Sequence, residues 1–141
     1  MNGSPVCVDA SFVMRLLLSE EVAVRAESLV RQWCEADRPL VAPSLLRYEV
    51  SNALFRYVAH GEISLEQALS LFDASAGLGI RLFEDEELHR RAMQLAHSLS
   101  LAASYDAHYL ALAERLGAVL WTADRRLAKV RGEGLPRVEI L

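Results

Sequence analysis

Short apolar runs rich in β-branched residues alternate along this chain with longer stretches in which apolar residues recur every three or four positions. Runs of the first kind are typical of strands buried on both faces, and stretches of the second kind are typical of amphipathic helices. Their alternation predicts an α/β fold with a mainly parallel sheet. We expect an α/β/α sandwich of four to five strands, which cover residues 5–8, 40–42, 80–83, 118–121 and 138–140.

The longer stretches predict the helices that connect these strands. Two of their ends carry recognisable signals: Ser64 and Gln67 have the spacing of a capping box, and Gly117 can end a helix. The predicted helices cover residues 11–18, about 22–33, 44–60, 64–72, 88–99, 106–116 and 124–130.

The composition is that of an ordinary globular protein and excludes several classes. The chain has 141 residues, of which 52% are hydrophobic, so we expect one domain over residues 1–141. Cys7 and Cys34 are too few for a disulfide framework, and we expect two reduced thiols in a cytoplasmic protein. Because Asp9 and Arg15 interrupt the apolar N-terminal stretch, we expect neither a signal peptide nor a membrane span.

Three aspartates are predicted at one edge of the sheet. Asp9 follows the first strand directly, and Asp124 lies three residues after Trp121, at the end of the fourth. Gly117 allows only a tight turn into the fourth strand, so the helix before it ends at the opposite edge. Its eleven residues rise about 16 Å, which returns Asp106 to the carboxyl edge. Open α/β sheets place their sites at that edge.

Glu49 is predicted to join the three aspartates. It lies one to two turns into the helix after the second strand and flanks the apolar stripe of Leu46 and Val50, so it points partly inward. Each carboxylate also has a simpler interpretation, because Asp commonly caps helix starts and a lone helical Glu is usually solvated. Those interpretations do not explain why all four would share one edge.

Carboxylates crowded in this way favour a divalent metal. They repel one another and raise one another's pKa unless a cation neutralises them. Oxygen ligands without His or Cys select a hard ion, Mg²⁺ or Mn²⁺, and one or two ions are compatible with four carboxylates. Such a metal suits phosphodiester cleavage, because it activates a bound water and neutralises charge on the leaving oxygen.

The charge balance bears on nucleic-acid binding. The net charge of −4 argues against simple charge-driven binding, but without the four site carboxylates the acidic residues only equal the 15 basic ones. Six basic side chains near the predicted site could contact phosphates, with a solvated helix face as the alternative. They are Arg47, Arg56, Arg125, Arg126, Lys129 and Arg131.

Four segments of the chain, residues 8–11, 48–54, 105–113 and 120–127, resemble the motifs of PIN-domain ribonucleases in order and spacing. The resemblance is greatest to the VapC-type toxins of bacterial toxin–antitoxin pairs, and it extends from about Val6 to the end of the chain. It implies a PIN-like fold and a Mg²⁺- or Mn²⁺-dependent endoribonuclease. The metal-binding carboxylates would be Asp9, Glu49, Asp106 and Asp124. Thr122 would support the metal or its water.

The same resemblance implies partners. These are an RNA substrate, a second copy of the chain in a homodimer, and a cognate antitoxin whose C-terminal segment lies in a groove beside the site. Helices that carry Leu29 and Trp33, or Leu46 and Leu54, could line that groove, although these residues also fit a core.

Two other functions stay open from the residues alone. The acidic edge could belong to a non-catalytic interaction module that binds a partner or only caps helices. Asp9 could also be the nucleophile of another α/β phosphoryl-transfer enzyme, but the Asp-x-Asp pattern of aspartyl phosphatases is absent because position 11 is Ser.

Overall fold

Five parallel strands form one sheet in the computed structural model, which describes residues 3–18 and 20–141. The strand order is β3-β2-β1-β4-β5, and all four pairings are parallel. The α/β class and the parallel sheet are therefore confirmed. The strands are β1 (Val6–Val8), β2 (Leu40–Pro43), β3 (Arg81–Phe83), β4 (Val119–Thr122) and β5 (Val138–Ile140).

Seven helices connect and follow these strands within the described residues. Most predicted bounds are correct to one or two residues, but the helix capped by Ser64 continues to Ala76, four residues beyond its predicted end. Gly117 ends its helix in the left-handed conformation, with a φ of 61°. None of these helices is both long and apolar enough to cross a bilayer. The helices are α1 (Ala10–Leu18), α2 (Glu20–Glu35), α3 (Leu45–Ala59), α4 (Leu65–Ala76), α5 (Glu86–Ser98), α6 (Tyr105–Leu116) and α7 (Arg125–Ala128).

Two further helix ends, at the start of α5 and the end of α7, differ from the sequence prediction. Helix α5 begins at Glu86, before its first buried residue Leu88, because the Asp85 side chain accepts a hydrogen bond from the Leu88 N–H and caps the helix. Arg115 also binds the Asp85 carboxylate through two nitrogens, and this pairing lowers the Asp85 pKa to about 2. The last helix, α7, is only four residues long, whereas the periodicity predicted it to reach residue 130.

The side chains of β1 separate the helices onto two faces of the sheet. The Cys7 thiol contacts the Tyr109 carbonyl oxygen of α6, so the side chain of this middle residue of β1 faces α6. Val8 pairs in register with Trp121, and the Trp121 ring packs on Trp33 of α2 with 5.6 Å between centroids. Because successive side chains of a strand point to opposite faces, α2 and α6 lie on opposite sides of the sheet. The burial of Cys7 also raises its pKa, which fits a packing role rather than a nucleophile.

The capping box of α4 forms as predicted. Ser64 accepts a hydrogen bond from the Gln67 N–H at 3.0 Å, and the Gln67 side chain accepts one from the Ser64 N–H at 2.8 Å. We expect Ser64→Ala to lower the free energy of unfolding by about 1 kcal/mol, because it removes the acceptor for a free helix N–H. Urea denaturation measures this change. Ser70→Ala, at an exposed position inside the same helix, is the matched control, and an equal loss in both variants would contradict the capping assignment.

Candidate metal centre

Asp9 lies at the carboxyl end of β1, where the sequence placed it, and is 6% exposed. Its Oδ1 accepts hydrogen bonds from the Phe12 N–H at 2.9 Å and from the Ser11 hydroxyl at 2.7 Å. Its Oδ2 accepts a hydrogen bond from the Thr122 hydroxyl. Asp9 therefore does bind the first turn of α1, but its second oxygen faces the end of β4. Burial raises the pKa of Asp9, and the three hydrogen bonds oppose that rise.

Two hydroxyl groups connect the ends of β1 and β4. Thr122 is fully buried, and its Oγ1 lies 3.1 Å from the Ser11 Oγ. The Asp124 N–H donates to Thr122 Oγ1 at 3.0 Å, and the Ala123 N–H donates to Ser11 Oγ at 2.8 Å. Ser11 was not predicted as a site residue, although its position two residues after Asp9 was the available signal. Together these bonds fix the Asp9 carboxylate against β4.

Glu49 points inward from α3, as its place beside the apolar stripe predicted. The hydroxyl of Tyr109, a residue of α6 that is almost completely buried, donates to Glu49 Oε1 at 2.6 Å. Desolvation raises the pKa of Glu49, the tyrosine hydrogen bond lowers it, and the charges of Asp106 and Asp9 raise it further. Tyr109 was not predicted as a site residue, because a tyrosine three residues after Asp106 in an apolar helix fits the core equally well.

Asp106 and Asp124 complete the group at the starts of two helices. Asp106 stands in the first turn of α6, and its pKa is raised by desolvation and by the charge of Asp124, while Arg126 opposes the rise. Asp124 caps α7, since its Oδ1 accepts a hydrogen bond from the Arg126 N–H at 2.8 Å. The capping interpretation is thus correct for Asp124 but does not exclude a second role.

The electrostatic effects place the four carboxylates near one another. Asp106 raises the pKa of both Asp9 and Glu49, Asp9 raises that of Glu49, and Asp124 raises that of Asp106. The name acidic edge is used below for these four residues, Asp9, Glu49, Asp106 and Asp124. The three aspartates therefore lie at the same end of the sheet, in agreement with the sequence prediction.

The donor set of the acidic edge fits a hard divalent ion. All its side-chain donor atoms are carboxylate oxygens, and the carboxylates repel one another. In the described part of the chain, no three His, Cys, Asp or Glu side chains converge tightly enough to enclose an ion by themselves. Water and substrate oxygens commonly complete a Mg²⁺ shell that only one or two carboxylates enter.

The basic residues divide into those near the acidic edge and those elsewhere. Arg126 lies near Asp106 and Asp124, in agreement with the sequence analysis. Two others are not placed at the acidic edge, and their contact with RNA phosphates stays a prediction. Arg47 packs over the Phe72 ring at 5.9 Å, and Arg56 stands in the last turn of α3, about 10 Å along the axis beyond Glu49.

The expected groove residues are also corrected in part. Trp33 and Leu46 are each no more than 5% exposed and belong to the core. Leu54 is also a core residue, but it lines an open groove between α3 and α4 together with Phe55, Leu65 and other side chains.

Comparison with known proteins identifies the family. The PIN domain model matches residues 6–133. Ribonuclease VapC3 of Pyrobaculum aerophilum is 32% identical over 126 residues, which are 86% of this chain and 91% of that protein. Ribonuclease VapC1 of Mycobacterium tuberculosis is 42% identical over 92 residues, which are 64% of this chain and 67% of that protein.

A solved structure has the same fold. The crystal structure of VapBC2 from Rickettsia felis, bound to a DNA fragment from their promoter, aligns with a TM-score of 0.74. The alignment covers 96% of this chain and 97% of that chain at 10% identity, so it speaks to the fold alone. With a family model over most of its length and relatives named as VapC ribonucleases, the chain belongs to the PIN-domain family and to its VapC group.

Proposed function

We propose that this chain is a divalent-metal-dependent endoribonuclease and the toxin of a VapBC-type toxin–antitoxin pair. The observation that carries the proposal is the acidic edge, where neighbouring carboxylate charges raise the pKa values of Asp9, Glu49 and Asp106. The names of the VapC relatives support RNA as the substrate. The raised pKa values support a need for a cation, because the repulsion between these groups is relieved when a positive charge binds.

The proposed metal is Mg²⁺ or Mn²⁺, held by Asp9, Glu49, Asp106 and Asp124. When bound, such an ion lowers the pKa of a water ligand and neutralises charge on the scissile phosphodiester. Side chains of this protein orient the proposed metal ligands. Thr122 and Ser11 hold Asp9, and the Tyr109 hydroxyl holds Glu49. Arg126, at the rim of the acidic edge, is positioned to bind a phosphate of the RNA strand.

The direct test is RNA cleavage by the purified chain in Mg²⁺ or Mn²⁺ and in EDTA. We expect cleavage with either metal and none in EDTA. Asp9→Asn, purified in parallel, controls for contaminating ribonucleases, because it must be inactive in the same preparation. Metal-independent cleavage, or equal cleavage by the variant, would contradict the proposed mechanism. Absence of Mn²⁺ binding to the native chain in a calorimetric titration, or binding undiminished in Asp106→Ala, would favour the non-catalytic interaction module.

Tyr109→Phe tests the proposed role of the tyrosine as a positioning residue. Loss of its hydroxyl leaves Glu49 without this donor, and we expect RNA cleavage to fall about 10- to 100-fold, as for other groups that orient metal ligands. Because that hydrogen bond lowers the pKa of Glu49, its loss raises this pKa. The acidic limb of the rate profile is therefore expected to move to higher pH. An unchanged pH profile would leave Tyr109 with a packing role only.

The proposed partner is a cognate antitoxin, and the proposed assembly is a homodimer in the cytoplasm. The groove between α3 and α4 supports a protein partner, because Phe55, Leu65 and Leu69 are each more than half exposed and line it together. An amphipathic helix buries its apolar face in grooves of this kind. Expression of the chain alone is expected to arrest growth, and co-expression with the antitoxin is expected to relieve that arrest. Leu69→Asp is expected to prevent the relief, while its RNA cleavage in vitro persists.

A further inference from the structure

A pocket with a volume of about 290 Å³ lies beside the acidic edge. Its floor includes Pro43 and Phe83, the last residues of β2 and β3, where the Ser44 N–H donates to the Phe83 carbonyl at 3.0 Å. Because the sheet is parallel, these strand ends share the edge at which Asp9 follows β1. The pocket is therefore on the same edge of the sheet as the proposed metal ligands.

Two tyrosines that line the pocket are sequence neighbours of residues of the acidic edge. Tyr48 directly precedes Glu49 on α3, and Tyr105 directly precedes Asp106 at the start of α6. They are 72% and 63% exposed, although large aromatic side chains are usually well buried. Among the described residues neither ring packs on another aromatic ring. Both rings are thus available to a ligand. The pocket is named the tyrosine pocket below.

Polar groups line one side of the tyrosine pocket. The His108 Nδ1 lies 2.7 Å from the Ser104 carbonyl oxygen, so this nitrogen carries a proton. His108 Nε2 lies 2.9 Å from His89 Nδ1, and His89 Nε2 lies 2.7 Å from Glu84 Oε1. This chain of hydrogen bonds fixes both rings and the carboxylate. A flat ligand that stacks on the tyrosines would meet fixed polar groups at its edge.

These features match one kind of ligand. Pockets for drug-sized molecules occupy about 300–1,000 Å³, so a cavity at the lower limit suits a single flat heterocycle. Proteins that recognise single-stranded RNA stack its unpaired bases on aromatic side chains and bond their edges to polar groups. Stacking on tyrosine is available to every base. A carboxylate such as Glu84 only accepts hydrogen bonds, so it favours a base whose amino or imino N–H groups face it and disfavours one that turns an acceptor towards it.

We infer that the tyrosine pocket binds one unpaired base of the RNA strand next to the cleaved phosphodiester, stacked on Tyr48 and Tyr105 and read at its edge by Glu84. The inference rests on the proposed ribonuclease function and adds a substrate-recognition site to it. The two tyrosines are binding residues in this assignment and take no part in the chemical step.

The test combines substitutions in the protein and in the RNA. Tyr48→Ala and Tyr105→Ala are each expected to lower kcat/KM for a short single-stranded RNA about 5- to 150-fold, the effect of one lost base stack. Tyr48→Phe is expected to retain most of the activity. In the parent, an abasic nucleotide at one position of the RNA is expected to cause a similar loss. The same abasic RNA is expected to lose little more in Tyr48→Ala, because contacting groups are not additive.

Tyr57→Ala is the matched control, because Tyr57 is an accessible tyrosine of the same helix nine residues further on, on the opposite face. It is expected to cleave like the parent. Mn²⁺ binding is expected to be equal in all these variants. Glu84→Gln is expected to change the base preference next to the cut. This readout separates base recognition from a structural role.

Three results would overturn the inference. Parent-like kcat/KM in both alanine variants, or losses that add fully with every abasic position, would exclude base stacking in the pocket. Unchanged cleavage with weakened inhibition by the antitoxin would assign the pocket to the protein partner instead. In each case RNA cleavage by the parent persists and the proposed function stands. A parent that cleaves no RNA would overturn both.

Discussion

Asp9→Asn is expected to lower RNA cleavage by at least about 100-fold, in the range seen when other preorganised electrostatic groups are removed. Asparagine caps a helix about as well as aspartate, so the hydrogen bond from the Phe12 N–H survives. The negative charge is lost, and the amide nitrogen that replaces Oδ2 can only donate to the Thr122 hydroxyl, which donates to Asp9 in the parent. The expected variant is therefore folded and inactive. Steady-state cleavage and thermal denaturation, measured on the same preparation, check both parts of this result.

The direction of the change in Tm between Asp9→Asn and the parent is also predicted. Burial raises the pKa of Asp9, so the folded, metal-free chain disfavours the charge that asparagine removes. In EDTA we expect a Tm equal to or above that of the parent. Asp73→Asn, at an exposed position on α4, is the matched control and is expected to leave both quantities unchanged. An active Asp9→Asn variant would reduce Asp9 to a helix cap and end the catalytic assignment.

Divalent metal is expected to stabilise the fold most strongly near neutral pH. A ligand at 100 times its Kd adds about 2.7 kcal/mol to the free energy of unfolding. For a chain of this size that corresponds to a rise in Tm of roughly 10 °C. Differential scanning fluorimetry with Mn²⁺ and with EDTA measures the rise. Asp106→Ala is expected to lose most of it, and Asp73→Ala is expected to keep it.

The pH dependence follows from the carboxylates. The folded-state pKa values of Asp9, Glu49 and Asp106 are raised, chiefly by desolvation. Such groups favour the folded state while they are protonated, and this contribution is lost as the pH rises through their folded pKa values. In EDTA, their contribution therefore falls from the acidic range towards neutrality, whereas Mn²⁺ restores stability there by replacing the protons. A Tm that does not respond to Mn²⁺ at pH 7 would contradict the proposed metal centre.

The fold was predictable because its signals are local and repeated. Most strands stand out as short apolar runs that contain β-branched residues, and helix ends such as Gly117 carry their own residue types. The end of α7 was not predictable in the same way. Its sequence continues the apolar spacing to Val130, but the helix ends at Ala128 because the chain must turn towards β5. That constraint is tertiary and leaves no mark in the periodicity.

The acidic edge was predictable in position but not in detail. The rule that parallel strands and their following helices share an edge was enough to bring Asp9, Asp106 and Asp124 together. The rule says nothing about side-chain partners across more than 100 residues of sequence, such as Thr122 on Asp9. It also could not find the Tyr109 hydroxyl, because tyrosine in an apolar helix is chemically ambiguous. That the acidic edge binds metal stays a prediction.

Helix α6 connects the core to the site in a way that limits sequence change. Seven consecutive residues, 107–113, are buried, three of them alanines. Such small side chains let a helix approach its neighbours closely, and this helix begins with Tyr105 and Asp106. A bulkier residue at Ala107 or Ala111 would shift α6 as a whole and displace the Tyr105 and Asp106 side chains at its N-terminus. Loss-of-toxicity mutations selected in cells should therefore accumulate at these alanines, although neither side chain belongs to the acidic edge.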